Sequence, residues 1–416
     1  MPAARSLSDP PTTRVAVTGL GVICSLGSGQ TAVWEGLMQG RSGIGKVRLA
    51  GTEGCLSDRA GHAPADGAPR GPREGRLSRR DSRSDRLCLA AAREAVAQAG
   101  LGQSGALADF GVSLGSSTAG MLEAERYCQD GARRGFHRAR PSRVLRLPSS
   151  APADAVARLF GAAGPRLSNM TACASSAASI GFAADLIRSG EAPGMLAGGG
   201  DALCLLTYTG FNALRLHDPQ PCRPFDAARQ GLSLGEGAGI LVLEDWDRAA
   251  ARGARPLAEF VEYGASCDAS HMTAPHPEGR GALAAMSEAL HRAGLPPERV
   301  GHVNAHGTGT SLNDATEARA LTTLFAREGR RAPPLTASKS SIGHLLGGAG
   351  AVEAAIVVLT LMHGRIPPTL GFTACDEGTR LDVVAGCPRE LPGGHALSNS
   401  FGFGGTNYAL LFKSSP

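Results

Sequence analysis

Short aliphatic and β-branched runs alternate along the whole chain with Ala-rich stretches of helical length, and this alternation restricts the possible architectures more than any other feature. Apolar runs of four to six residues read as buried strands, and strands separated by helices call for parallel or mixed sheets covered on both faces, an α/β fold. Strands are expected at Arg14–Thr18, Phe110–Leu114, Gly194–Ala197, Gly239–Leu243, Val300–Asn304 and Leu335–Ala337. Helices are expected at Asp85–Ala99, Cys173–Ser189, Ala282–Ala293, Asp314–Phe325 and Gly350–His363. Aromatic residues make up only 4% of the chain, whereas Gly occurs 57 times, so the interior must be packed from small side chains and closely approaching backbones. The 416 residues allow two to three average domains.

A formal net charge of +5 is too small to indicate bulk nucleic-acid binding. The 10 Cys residues form no CxxC pair and lie scattered in apolar segments, a pattern of reduced thiols and not of a disulfide framework. Residues 1–14 contain no apolar core of the secretory kind. The longest greasy run, Ala354–Met362, is far shorter than the ~20 residues that span a bilayer. The expected location is the cytoplasm, without membrane insertion.

Four separated segments carry chemistry: Thr171-Ala-Cys-Ala-Ser-Ser176, Asn304-Ala-His-Gly-Thr-Gly-Thr310, Lys339-Ser-Ser-Ile-Gly-His344 and Gly402-Phe-Gly-Gly-Thr-Asn407. They supply one thiol, two imidazoles and an ammonium, a set suited to thiol-mediated acyl transfer. Cys173 opens a helix whose small residues nearly all round predict burial, and a thiol at a helix N-terminus is expected to be acidified by the dipole. His306 and His344 each follow an apolar strand, where functional groups collect. The Gly402 loop lacks the Lys-Ser/Thr ending of a phosphate-binding loop, and Gly19-Leu-Gly21 lacks the full dinucleotide fingerprint, so no nucleotide cofactor is expected. His302 and His306 sit on a strand and loop, where i,i+4 spacing does not build a metal site. Gly61–Arg86 holds seven arginines and reads by composition as a solvated loop.

The order and wording of these motifs resemble the β-ketoacyl-acyl-carrier-protein synthases of the thiolase superfamily over almost the whole chain. Further matching words stand at Gly198-Gly-Gly-Asp201, Pro224-Phe-Asp226, Gly235-Glu-Gly-Ala-Gly239 and Pro367-Pro-Thr369. Asp268-Ala-Ser-His-Met-Thr273 is most similar to the synthase II branch, which includes fatty-acid elongation enzymes and type II polyketide ketosynthases. The resemblance implies a thiolase-like fold of two similar α/β halves in an α-β-α-β-α stack, one over residues 1–256 with the nucleophile and one over 257–416 with the histidines.

It further implies that Cys173 carries the acyl chain, that His306 and His344 serve decarboxylation and condensation, and that Lys339 tunes them from behind. The amides of Cys173 and Phe403 would form the oxyanion hole, with Phe403 also the gate. Thr308 and Thr310 would bind the pantetheine arm, and Ser117 and Thr118 would help to line the acyl pocket. Arg79, Arg80 and Arg83 fall where the family docks its acidic acyl carrier protein. Members can hold a structural monovalent cation, at positions matched here by Asn304, Glu353, Ser398 and Asn399, with no catalytic metal and no cofactor besides the carrier's phosphopantetheine. Members are dimers, so a homodimer or a heterodimer with a chain-length-factor homologue is expected. A non-catalytic chain-length-factor-like subunit and a Cys-His thioester hydrolase are the alternative readings. The first conflicts with the intact Cys173, His306, Lys339 and His344, and the second leaves one His and the Lys without a task.

Overall fold

The computed structural model describes residues 13–64, 81–103, 105–326 and 332–415. The principal strands are β1 (Val15–Cys24), β2 (Gly111–Gly115), β3 (Arg166–Asn169), β4 (Gly194–Asp201) and β5 (Gly237–Asp245), then β6 (Ala258–Cys267), β7 (His302–Asn304), β8 (Leu335–Thr336), β9 (His395–Gly402) and β10 (Thr406–Ser414). Their spatial order is 3-2-4-5-1 in the first set and 8-7-9-10-6 in the second. These are the same order, with the same senses: the third, second and fourth strands run parallel, and the fifth is antiparallel to both of its neighbours. The two sets meet where Val15–Val17 of β1 pairs antiparallel with Ala258–Phe260 of β6.

Helices α1 (Arg83–Gln98) and α2 (Ala151–Phe160) cover the outside of the first set, and α4 (Arg280–Arg292) with α5 (Ser311–Phe325) covers the second. Between the sets lie α3 (Ser175–Arg188) and α6 (Ala349–His363), which pack on each other and on strands of both. Thirteen consecutive residues of α6, Ala349–Leu361, are buried. A helix apolar on every side belongs in a protein's centre. By length and composition the 346–363 stretch would also cross a membrane, but 89% of it is buried inside the protein. Small residues let the central helices approach: a Cβ on Gly350 would lie 2.9 Å from Ala177.

The first strand extends past the expected Thr18 to Cys24 because its glycines serve packing and not a turn. A Cβ on Gly19 or Gly21 would collide with the carbonyl oxygens of Ala95 or Ala91 in α1. The polar segment at the start of α1 is capped by Ser82, whose hydroxyl accepts the Asp85 amide while Asp85 accepts the amide of Ser82.

Candidate active site

Strand β3 leads to Cys173 through a strained turn. Ala172 adopts a left-handed conformation (φ 47°), and its carbonyl accepts hydrogen bonds from Ser117 Oγ at 2.8 Å and Ser175 Oγ at 2.6 Å. One 3₁₀ turn, Ala172–Ala174, then feeds α3 and leaves Cys173 only 6% exposed. The expected acidification fails here. Burial pushes the thiol up to about 11, although the charge of Lys339 and the Phe403 amide on the sulfur oppose it. A helix terminus is worth at most ~2 kcal/mol, less than the cost of placing a thiolate in this interior. Cys173 rests as a thiol.

His306 follows β7, and α5 fastens its loop. Glu317 accepts the amides of His306 (2.9 Å) and Gly307 (2.8 Å), and Asp314 accepts those of Thr308 (3.0 Å) and Gly309 (3.2 Å). These two acids were not anticipated, although their i,i+3 placement just after the loop was a usable signal. His344 follows β8, and its ring Nδ1 accepts the Leu346 amide at 3.2 Å. The fully buried Lys339 ammonium donates to the His306 carbonyl (2.5 Å) and to Glu353 Oε1 (2.5 Å), and lies 3.4 Å from His306 Nδ1.

Both Nδ1 atoms therefore face donors, which assigns the proton of each neutral ring to Nε2. Burial first and the Lys339 charge second hold both imidazoles well below the usual histidine range, so both are neutral at physiological pH. Their centroids lie 5.4 Å apart with the rings at 86°.

Phe403 stands at the tip of the hairpin joining β9 to β10, stacked on Phe211 at 5.6 Å. Gly404 and Gly405 (φ 83° and 78°) provide the left-handed backbone that the hairpin requires. The Gly404 amide donates to Met272 O at 2.7 Å, and Gly405 O accepts the Asp268 amide at 2.8 Å. Cys173, His306, His344, Thr308, Thr310 and Phe403 all line one cavity of about 360 Å³.

Other expected site residues have different surroundings. Ser117 and Thr118 do not line this cavity. Ser117 holds the Ala172 carbonyl, and Thr118 is 5% exposed and bonded to Asp201. Arg83 is turned inward: its guanidinium bonds Glu236 at 2.8 Å and the carbonyls of Ala63 and Pro64, which corrects its expected role as an outward docking residue. Arg79 and Arg80 lie outside the described residues.

Among the cation candidates, Asn304 Oδ1, Glu353 Oε2, Ser398 Oγ and Asn399 Oδ1 are all buried without a hydrogen-bond partner, as unfilled oxygen ligands would be. Asn304 and Ser398 are register partners on one sheet face, whereas Asn399 points to the opposite face and donates to Glu317. The unpartnered side-chain oxygens of Asn304, Ser398 and Glu353 are of the kind that ligates a monovalent cation, while the Asn399 side chain leaves the sheet face shared by Asn304 and Ser398. No cluster of three or more His, Cys, Asp or Glu suited to a metal occurs among the described residues.

Residues 12–249 match the β-ketoacyl synthase N-terminal domain, and residues 257–373 match the β-ketoacyl synthase C-terminal domain. The chain belongs to the β-ketoacyl synthase family. As a member it is a condensing acyltransferase with the thiolase-like fold. It is 38% identical over 411 residues to the 3-oxoacyl-[acyl-carrier-protein] synthase 2 of Synechocystis sp., covering 96% of this chain and 98% of that one. Among solved structures, the ishigamide ketosynthase/chain length factor superposes with a TM-score of 0.90 at 34% identity, covering 97% of this synthase and 100% of that chain. A type II polyketide ketosynthase bound to a hexaketide and in complex with its acyl-carrier protein, AntDE:AntF, gives a TM-score of 0.87 at 27% identity, covering 98% and 100%.

Proposed function

We propose that this synthase joins an acyl chain to a malonyl unit on acyl carrier protein through Cys173, His306, His344 and Lys339. In the first half-reaction Cys173 Sγ attacks the acyl thioester. The tetrahedral oxyanion is received by the amides of Cys173 and Phe403, and collapse leaves acyl-S-Cys173 while the departing pantetheine sulfur takes up the thiol proton. In the second, the malonyl carboxylate leaves as CO2, and its electron pair forms an enolate whose oxygen accepts hydrogen bonds from the two imidazole Nε2–H groups. The enolate carbon attacks the acyl-Cys173 carbonyl, forming the C–C bond and expelling the Cys173 thiolate, which is reprotonated. The observation that supports this reading is the pair of neutral rings, both protonated at Nε2, lining one cavity with the thiol.

These steps call for no nucleotide or redox cofactor. Asn304, Glu353 and Ser398 would hold a monovalent cation, supplying positive charge beside the Lys339–Glu353 pair. Thr308 and Thr310, whose hydroxyls lie 2.9 Å apart on the cavity wall, are assigned to the pantetheine arm. The carrier is proposed to dock through exposed arginines. Among the described residues, Arg133, Arg134, Arg138 and Arg140, which end or follow the helix Met121–Arg134, are exposed. Glu125 of that helix receives the amides of Leu205 and Leu206, at the start of the helix that carries Phe211. The two sequence halves are divided at 256/257, between the repeated strand sets. A dimer burying ~2,000–5,000 Å² is proposed, with an identical chain or a chain-length-factor homologue. All ten cysteines are free thiols, which supports a cytoplasmic location.

Incubation with acyl-carrier and malonyl-carrier protein tests the reading. A β-ketoacyl product with one CO2 per C–C bond is expected, and release of free acid without C–C bond formation would establish a hydrolase instead.

A further inference from the structure

One carboxylate ties the nucleophile turn to the His344 turn. Asp201, at the end of β4, is fully buried and forms no ion pair among the described residues. Its Oδ1 accepts Ser116 Oγ (2.5 Å), Thr118 N (2.9 Å), Thr118 Oγ1 (2.9 Å) and Ala119 N (3.2 Å). Its Oδ2 accepts Ser117 N and Gly347 N, both at 2.8 Å. A buried charge without a counter-ion persists only where donors converge on it.

The two Oδ2 partners lead in different directions. Ser117 passes its hydroxyl to the carbonyl of Ala172, the left-handed residue immediately before Cys173. Gly347 adjoins Leu346, also left-handed (φ 53°), whose amide fixes the His344 ring through Nδ1. The approach is close enough to demand glycine. A Cβ on Gly347 would lie 2.5 Å from Ser117 N and 2.7 Å from Asp201 Oδ2.

We infer that Asp201, with Ser117, is a positioning residue for condensation: it fixes the relative placement of the Cys173 and His344 turns, and so of the acyl carbonyl and the enolate. It touches neither substrate. The inference rests on the condensing reaction proposed above and predicts a specific fault. Loss of the link leaves each half-site able to work but misaligned with the other, so malonyl decarboxylation becomes uncoupled from C–C bond formation.

The test is the ratio of CO2 released to β-ketoacyl product formed, measured with purified full-length enzyme and both carrier substrates. Asp201→Asn puts an amide NH2 where an oxygen now receives N–H donors, and Ser117→Ala removes only the arm to Ala172. The wild-type ratio is expected to be one. It should rise at least about threefold in Asp201→Asn and measurably in Ser117→Ala, while product formation falls about 10–100-fold in the first. Partial unfolding lowers both rates together and leaves the ratio at one. A ratio of one in both variants, or in Ser117→Ala alone should Asp201→Asn not fold, overturns the inference. A wild type that forms no C–C bond instead overturns the proposed reaction.

Discussion

Replacing Lys339 with Met isolates the charge pair behind the histidines. Lys339 Nζ and Glu353 Oε1 are 2.5 Å apart with both side chains fully buried, a distance at which unit charges attract by about 6.6 kcal/mol at an effective dielectric near 20. Glu353 answers the loss by taking up a proton. Burial pushes its carboxyl up to about 7 even against the pull of Lys339, and removing the ammonium pushes it further. A carboxyl raised above its unfolded value of ~4.3 stabilises the fold at low pH, and this contribution is lost at about 1.4 kcal/mol per pH unit until the folded pKa is passed. In the wild type the decline from this group ends near pH 7, whereas in Lys339→Met it continues. The two proteins should therefore lose stability in parallel from pH 5 to 7 and diverge by up to about 2.7 kcal/mol from pH 7 to 9. Guanidinium unfolding at each pH measures this, with Lys339→Met/Glu353→Gln as the control that removes the titrating carboxyl. Identical pH slopes for the single and double variants above pH 7 would refute the reasoning.

Cys173→Ala should abolish acyl transfer and lower condensation by at least ~10⁴-fold with an unchanged circular dichroism spectrum, since the turn and α3 are already built of small residues. His306→Ala or His344→Ala should lower malonyl decarboxylation by about 10²–10³-fold and self-acylation, followed by intact mass, by less than ~10-fold; equal loss of both would indicate a structural role. With the thiol near 11, alkylation of resting Cys173 by iodoacetamide should rise about tenfold per pH unit between 7 and 9, and a plateau near pH 7 would contradict the burial argument. Because both imidazoles titrate well below 6.5, decarboxylation by Cys173→Ala should persist from pH 7.5 to 5.5, without a midpoint near 6.5.

What was legible in the sequence was what short motifs carry by themselves. Cys173, His306, Lys339 and His344 each stand in a distinctive local word, and the structure brings Cys173, His306 and His344 to one cavity with Lys339 behind them. What escaped depended on distant partners. Ser117 and Thr118 looked like pocket residues because nothing nearby shows that a carboxylate more than eighty positions away claims them. Arg83 looked solvated because Glu236 lies 153 positions on. The thiol was misjudged because the dipole is local, whereas the desolvation comes from the other half of the chain. The repeated strand order was hidden for a related reason: β7 and β8 were expected from Val300–Asn304 and Leu335–Ala337, but β3, β6, β9 and β10 were not, and pairing with distant neighbours is what reveals them.

The position of the fifth strand in each set governs the order in which the molecule can be assembled. Strands β5 and β10 come last in their halves, yet each is inserted between the first and fourth strands. Neither sheet half can close until its final segment has been synthesised, and such non-local pairing is slow. The hairpin bearing Phe403 immediately precedes β10, so a nascent chain carries Cys173 well before His306, His344 and Phe403 have been synthesised. The site proposed around Cys173 is therefore assembled only after that last segment joins its sheet.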